Sequence, residues 1–188
     1  MTEQVGAGEA DGVDAHVIAC FVDPGLHAAR ELARGPVIGI AEAAFHAATL
    51  AATGFSIVTT LARTCVIAEH LLLQYGFERR CRGIHATDIA VLELDDPASR
   101  AFDRILACAE HALVRDRSGA IVLGCAGMAD LCHALQQRLG VPVIDGVGAA
   151  VKRAEALVSL GLPTSKRGDH AAPLAKPYAG LAAPFSPR

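Results

Sequence analysis

Two cysteines stand where their side chains can do chemistry. Cys20 ends the run AHVIAC (15–20), and Cys125 follows the run AIVLG (120–124). Each run is short, apolar and rich in branched side chains, the pattern of a buried parallel strand. Open α/β sheets hold their ligands at the C-terminal ends of strands, so both thiols are placed at such an edge. A helical pattern begins directly after Cys125, and a helix N-terminus favours thiolate over thiol. A substrate held between two such cysteines can be worked from opposite faces. One thiolate removes a proton from carbon while the other thiol returns one to the far side. That is inversion of a carbon centre by two general bases.

The elements that carry these cysteines occur twice. After Cys20 comes a helical pattern over 24–34, then Pro36-Val37-Ile38-Gly39; after Cys125 comes one over 128–139, then Pro142-Val143-Ile144-Asp145. Each repeat then enters another helix, over 42–53 and 147–160. This reads as an internal duplication that puts one cysteine in each of two similar lobes. Between the repeats, strands are expected over 55–59 and 81–87, and helices over 63–75 and 97–116. Strands alternate with helices throughout, which predicts parallel sheets and an α/β fold. Phe45, Ala48 and Leu50 are core candidates of the 42–53 helix. Asp23-Pro24 reads as the cap and first residue of the 24–34 helix. Residues 1–13 read as irregular, and 164–188, rich in Pro, Ala, Lys and Gly, as an irregular tail.

Other reactive side chains have plainer roles. Cys65, Cys81, Cys108 and Cys132 read as small packing residues. Thr59 and Thr60 end a strand, where their hydroxyls can bond a carboxylate or imide oxygen, or cap the next helix. Gly124 and Gly127 flank Cys125, for close backbone approach or for turn geometry alone. Asp145 is either a cap or a catalytic acid. The eight histidines show no ligand spacing and the six cysteines no CxxC pair, so no metal site is expected.

With 188 residues, 52% of them hydrophobic, the chain has enough apolar sequence for one domain or two small packed lobes. A net charge of −3, 4% aromatics and no basic stripe exclude a nucleic-acid binder. No apolar run has the length of a membrane span, and no leader pattern follows Met1, so reduced thiols in the cytoplasm are expected.

Six segments carry a family likeness: ACFVDPGL (19–26), PVIGIAEA (36–43), SIVTT (56–60), IVLGCAGM (121–128), GVPVIDGV (140–147) and TSKRGDHAAP (164–173). Together with the order and separation of the cysteines, they resemble the aspartate/glutamate/hydantoin racemase superfamily, and most of all its hydantoin and allantoin racemases. The resemblance implies two pseudo-symmetric Rossmann-like lobes with parallel sheets and an active site between them. Residues 1–60 plus 145–188 would form the N-terminal-type lobe and 61–144 the second.

The same resemblance implies a racemase without cofactor, acting on the acidic C–H carbon of a 5-substituted hydantoin or of allantoin. Cys20 and Cys125 would be the bases. Phe21, Val22, Thr59, Thr60, Gly124, Ala126 and Gly127 would meet the substrate, with backbone amides and threonine hydroxyls holding ring oxygens and enolate charge. A homo-oligomer is implied as well. Phe21 and Ala126 follow the cysteines where aspartate and glutamate racemases carry Cys-Asn-Thr, which argues against a free amino acid as substrate.

Two departures from the pattern stand out. Relatives open with a strand ending in an Asn-Pro-Asn-Thr type loop, a helix and a second strand, whereas nineteen residues precede Cys20 here. The first lobe is therefore expected to be truncated. Val22 stands where relatives tend to have glycine. The alternatives are a non-catalytic remnant that binds a ligand or oligomerises, and a decarboxylase or cis–trans isomerase of the same superfamily. The paired cysteines speak against a one-cysteine decarboxylase.

Overall fold

A computed structural model describes residues 1–174 and 176–186, and among these six strands alternate with helices. The first half contains α1 (Thr2–Asp11), β1 (His16–Ile18), α2 (Leu26–Leu32), β2 (Val37–Gly39), α3 (Ile40–Ala51), β3 (Phe55–Thr59), α4 (Ala62–Tyr75) and β4 (Cys81–Ala86). The second contains α5 (Ala101–Asp116), β5 (Ala120–Leu123), α6 (Cys132–Leu139), β6 (Val143–Ile144) and α7 (Gly146–Ser159). All strand pairs are parallel, each joined through helices as parallel pairing requires. The expected α/β fold with parallel sheets is the observed one.

β1 and β2 form one sheet, and the other has the order β4-β3-β5-β6. The duplication shows in the register. His16 pairs with Val37 in the first sheet as Ile121 pairs with Val143 in the second. Strand β3 belongs to the second sheet, between β4 and β5, although the sequence-based division put 55–59 with the first lobe. We propose a lobe boundary ahead of Phe55 instead.

Helix α3 joins the two halves. Its buried face is mostly alanine (Ala41, Ala43, Ala44, Ala48) around a single large ring, Phe45, which is fully buried. Small side chains let α7 pack closely on α3. At Gly146, the first residue of α7, an added Cβ would lie 2.6 Å from the Ile40 carbonyl oxygen. Phe45 meets Phe21 edge-on at 5.8 Å, stacks on Phe55 at 5.6 Å and touches Phe77 at 5.9 Å. On the other face of the second sheet, Ile105, Leu106 and Ala109 of α5 pack with Ile121, Leu123 and Met128.

Four local expectations need correction. Residues 1–13 are largely helical. Val5 is buried beside Leu26 and Ala29, Glu9 bonds His16 at 3.0 Å, and Gly12 closes α1 in the left-handed conformation. Leu50 is 87% exposed, because the buried stripe of α3 runs through Phe45 and Ala48. The 97–116 helix starts only at Ala101, since Arg100 takes a φ of 53° after a 3-10 turn over Pro97–Ser99. Likewise the helix after Cys125 opens as a 3-10 stretch, Ala126–Leu131, before α6.

The 164–188 tail contains two short 3-10 turns, Gly168–His170 and Gly180–Phe185. Thr164 ties its start to the backbone of Arg34 and Gly35. The part of that expectation at 175 and 187–188 lies outside the described residues.

Candidate functional site

The Cys20 segment leaves β1 as a tight turn. The Asp23 amide donates to the Cys20 carbonyl at 2.9 Å. Cys20 is exposed, Phe21 is buried against Phe45, and Val22 is half-buried. Asp23 does not cap the helix that follows it. That helix, α2, starts after Gly25, and the Asp23 carboxylate crosses instead to the N-terminus of α3. There it accepts the Ala41 amide at 3.2 Å and the Glu42 amide at 3.1 Å. The Tyr75 hydroxyl donates to it at 2.9 Å. Burial pushes the Asp23 carboxyl above its ordinary range, and these three bonds offset part of that rise.

The Cys125 segment leaves β5 at the equivalent place. The Gly124 amide donates to the Val58 carbonyl at 2.8 Å, extending the β3–β5 pairing by one bond. The Thr59 hydroxyl donates to the Gly124 carbonyl at 3.1 Å and shares a 2.8 Å bond with the Thr64 hydroxyl. Gly127 leaves room for the segment after β4. A Cβ there would lie 2.9 Å from Leu94 Cδ1 and 3.8 Å from Cys125 Sγ. Ala126 packs on the α3-centred core.

Cys125 is half-buried, and its thiol is pushed up by burial first, against a lowering hydrogen bond from the Gly127 backbone. The helix-terminus argument from sequence had pointed the other way. Desolvation outweighs it because the charged form loses water that one backbone donor does not replace. The charge of Cys20 adds to the rise.

Neither threonine caps α4. The Asp88 carboxylate does, accepting the Ala62 amide at 3.2 Å. Thr59 is buried and its hydroxyl is spent inside the protein. Thr60 is 3% exposed; its carbonyl accepts from the Thr87 hydroxyl, and its own hydroxyl has no partner among the described residues. Asp145 is a cap, taking the amides of Val147 and Gly148 at the start of α7.

Sequence reading missed Thr64, Tyr75, Asp88 and Leu94. Tyr75 and Leu94 come from distant segments and Asp88 caps α4 from beyond β4, whereas Thr64 lies five residues after Thr59; no local motif marks any of them. The remaining cysteines are all half-buried; Cys81, for example, is pushed up to about 11, mainly by burial. Among the described residues no cluster of three or more His, Cys, Asp or Glu is placed to hold a metal, and no helix is long and apolar enough to cross a membrane.

Residues 1–154 match the family described as Asp/Glu/Hydantoin racemase. The chain belongs to that family. It is 53% identical over 180 residues to the hydantoin racemase of Rhizobium meliloti, covering 96% of this chain and 75% of the relative. The solved allantoin racemase from Klebsiella pneumoniae superimposes with a TM-score of 0.95 at 59% identity, over 99% of this chain and 76% of that one. The allantoin racemase from Pseudomonas fluorescens superimposes at 0.86 with 39% identity, over 95% and 79%. These likenesses identify the hydantoin/allantoin branch and make the chain an isomerase of the racemase kind.

Proposed function

We propose that this racemase inverts the acidic C–H carbon of a 5-substituted hydantoin or of allantoin, without a cofactor, using Cys20 and Cys125 as opposed bases. One observation carries the reading: two thiols at equivalent strand ends of a duplicated unit, close enough for the charge of one to raise the pKa of the other. Two-base inversion needs one thiolate and one thiol at a time, and a charge on Cys20 disfavours the Cys125 thiolate.

In the forward step a thiolate takes the ring C–H proton and the electron pair passes into the adjacent carbonyl as an enolate. The opposite thiol then protonates the same carbon from the other face, becoming the next thiolate. Phe21 and Val22 would wall the ring on the Cys20 side, and Ala126 and Gly127 on the Cys125 side. The Thr60 hydroxyl has a free bonding capacity for a ring oxygen. Thr59 would act through Gly124, whose carbonyl it holds. The partner is a small ring compound, and the working form is a homo-oligomer in the cytoplasm.

The test follows each enantiomer in heavy water, reading loss of the ring C–H signal by NMR and inversion by circular dichroism. Cys20→Ser and Cys125→Ser should each abolish inversion. Each should still exchange the C–H proton of one enantiomer, and of opposite ones. Racemisation at the unaltered rate by either variant would overturn the two-base reading.

A further inference from the structure

We propose that Asp23 is a positioning residue for Cys20: its buried carboxylate staples the Cys20 turn to the N-terminus of α3 and so fixes one of the two bases and not the other. The proposal rests on the reading of Cys20 as a base.

Cys20 is exposed and sits in a turn, so its place is set by its backbone. That backbone is held from one end of the turn. The Asp23 amide closes the turn on the Cys20 carbonyl, and the Asp23 carbonyl accepts the Leu26 amide at 3.3 Å. Asp23 itself has a φ of 42°, in the left-handed region that L side chains rarely adopt. It is 5% exposed. A non-glycine residue held this way persists only where its surroundings over-determine it.

Here the surroundings are the two amides at the start of α3 and the Tyr75 hydroxyl from α4. Gly39 makes the space for them. A Cβ at Gly39 would fall on the Asp23 carboxylate. The neighbouring Glu42 carboxylate is turned to Arg30, at 2.6 Å. A residue in ordinary capping duty bonds the helix that follows it. Asp23 instead bonds an element beyond the next strand, which joins the Cys20 turn to the helix at the centre of the molecule.

The Cys125 segment is held differently. Backbone pairing of Gly124 with Val58, the Thr59 hydroxyl and the 3-10 turn bond from Met128 to Cys125 fix it. None of the groups that hold it is a carboxylate. Loosening Asp23 therefore displaces one base only.

The experiment compares solvent-deuterium exchange of the two enantiomers in Asp23→Asn, Gly39→Ala and Tyr75→Phe, with Cys20→Ser alongside. Misplacement of a reacting group by about 1 Å costs on the order of 100-fold. Asp23→Asn and Gly39→Ala should lower kcat and slow exchange of the Cys20-served enantiomer roughly 10- to 100-fold, leaving KM and the other exchange within about twofold. Tyr75→Phe keeps both amide bonds and should show a smaller loss on the same side. The folded fraction of every variant is read separately, by far-UV circular dichroism, and the exchange rates are expressed per folded molecule.

Equal loss of both exchanges in Gly39→Ala and Tyr75→Phe, or no loss in either, would overturn the staple. If Cys20→Ser removes neither exchange, the Cys20 reading fails and the staple falls with it. If Cys20→Ser removes one exchange that the other variants leave intact, only the staple fails.

Discussion

Thr59 and Gly124 are locked together at the ends of adjacent strands. The hydroxyl of one donates to the carbonyl of the other at 3.1 Å, and a Cβ at Gly124 would lie only 2.7 Å from Thr59 Cβ. Real Cβ atoms do not approach this closely, so a methyl group there must part β3 from β5 next to Cys125. Gly124→Ala is expected to cost about 1–3 kcal/mol, the usual range for overpacking. It should also remove most racemase activity. Urea unfolding and a polarimetric assay check both, and a variant with unchanged midpoint and rate would contradict the role given to this contact.

Phe45 ties the halves of the molecule into one core. It is fully buried among Phe21, Phe55, Tyr75 and Phe77. Phe45→Ala should destabilise the protein by about 3–5 kcal/mol. That is a large part of the roughly 5–15 kcal/mol that holds a typical domain. Because Phe21 loses its partner next to Cys20, activity should fall even in the folded fraction. Denaturant titration with activity measured below the transition decides it; a loss under about 1 kcal/mol would show that the core refills the space.

Acid stability should depend on Asp116. Its carboxylate accepts the Ser56 hydroxyl at 2.7 Å and bonds His85 Nε2 at 2.6 Å, with only 7% of the side chain exposed. Burial pushes this carboxyl up, but the two hydrogen bonds and the His85 and Arg115 charges more than offset it, so it ends below 3.8. A lowered folded-state pKa contributes stability that is complete above the unfolded value near 3.8 and is lost as pH falls through the folded value. Asp116→Asn should therefore lower stability by about 1–3 kcal/mol at pH 7 and flatten its decline below pH 4. Thermal melts from pH 7 to pH 3 would show this, and parallel curves for the two proteins would refute it.

The pH dependence of proton abstraction by Cys125 should follow its raised thiol. Burial holds the Cys125 thiol above its ordinary 9.0. The thiolate that acts as base is the deprotonated form, so exchange at Cys125 should climb about tenfold per pH unit from pH 7 to 9. Initial exchange rates in the Cys20→Ser variant isolate this arm. A flat profile over that interval would mean that Cys125 is already ionised at neutrality.

The two cysteine segments could be read from local pattern. Cys20 and Cys125 each end a short branched-apolar run followed by a helix, and both runs became strands with parallel partners in matching register. Thr59, Gly124 and Gly127 were singled out by position and do crowd the Cys125 segment. Their partners were not legible. Tyr75 at the far end of α4 and Leu94 beyond β4 are brought in by tertiary packing, and Thr64 by the first turn of α4, five residues after Thr59. Leu50 was misjudged because a short alanine-rich helix offers its apolar residues on more than one face, and packing against α7 selects which face is buried.

The sequence by itself determined the α/β class, the duplication, the family and the place of two cysteines just past strand ends, because strand length, helical period and the Gly and Pro breaks between them are local properties of the chain. Tertiary structure decided which helix Asp23 caps, where the Thr59 hydroxyl is spent and in which direction the Cys125 thiol is shifted. Those depend on which distant groups remove water from a side chain and which return a hydrogen bond to it. That balance exists only once α3, α4 and β5 have closed around the two turns.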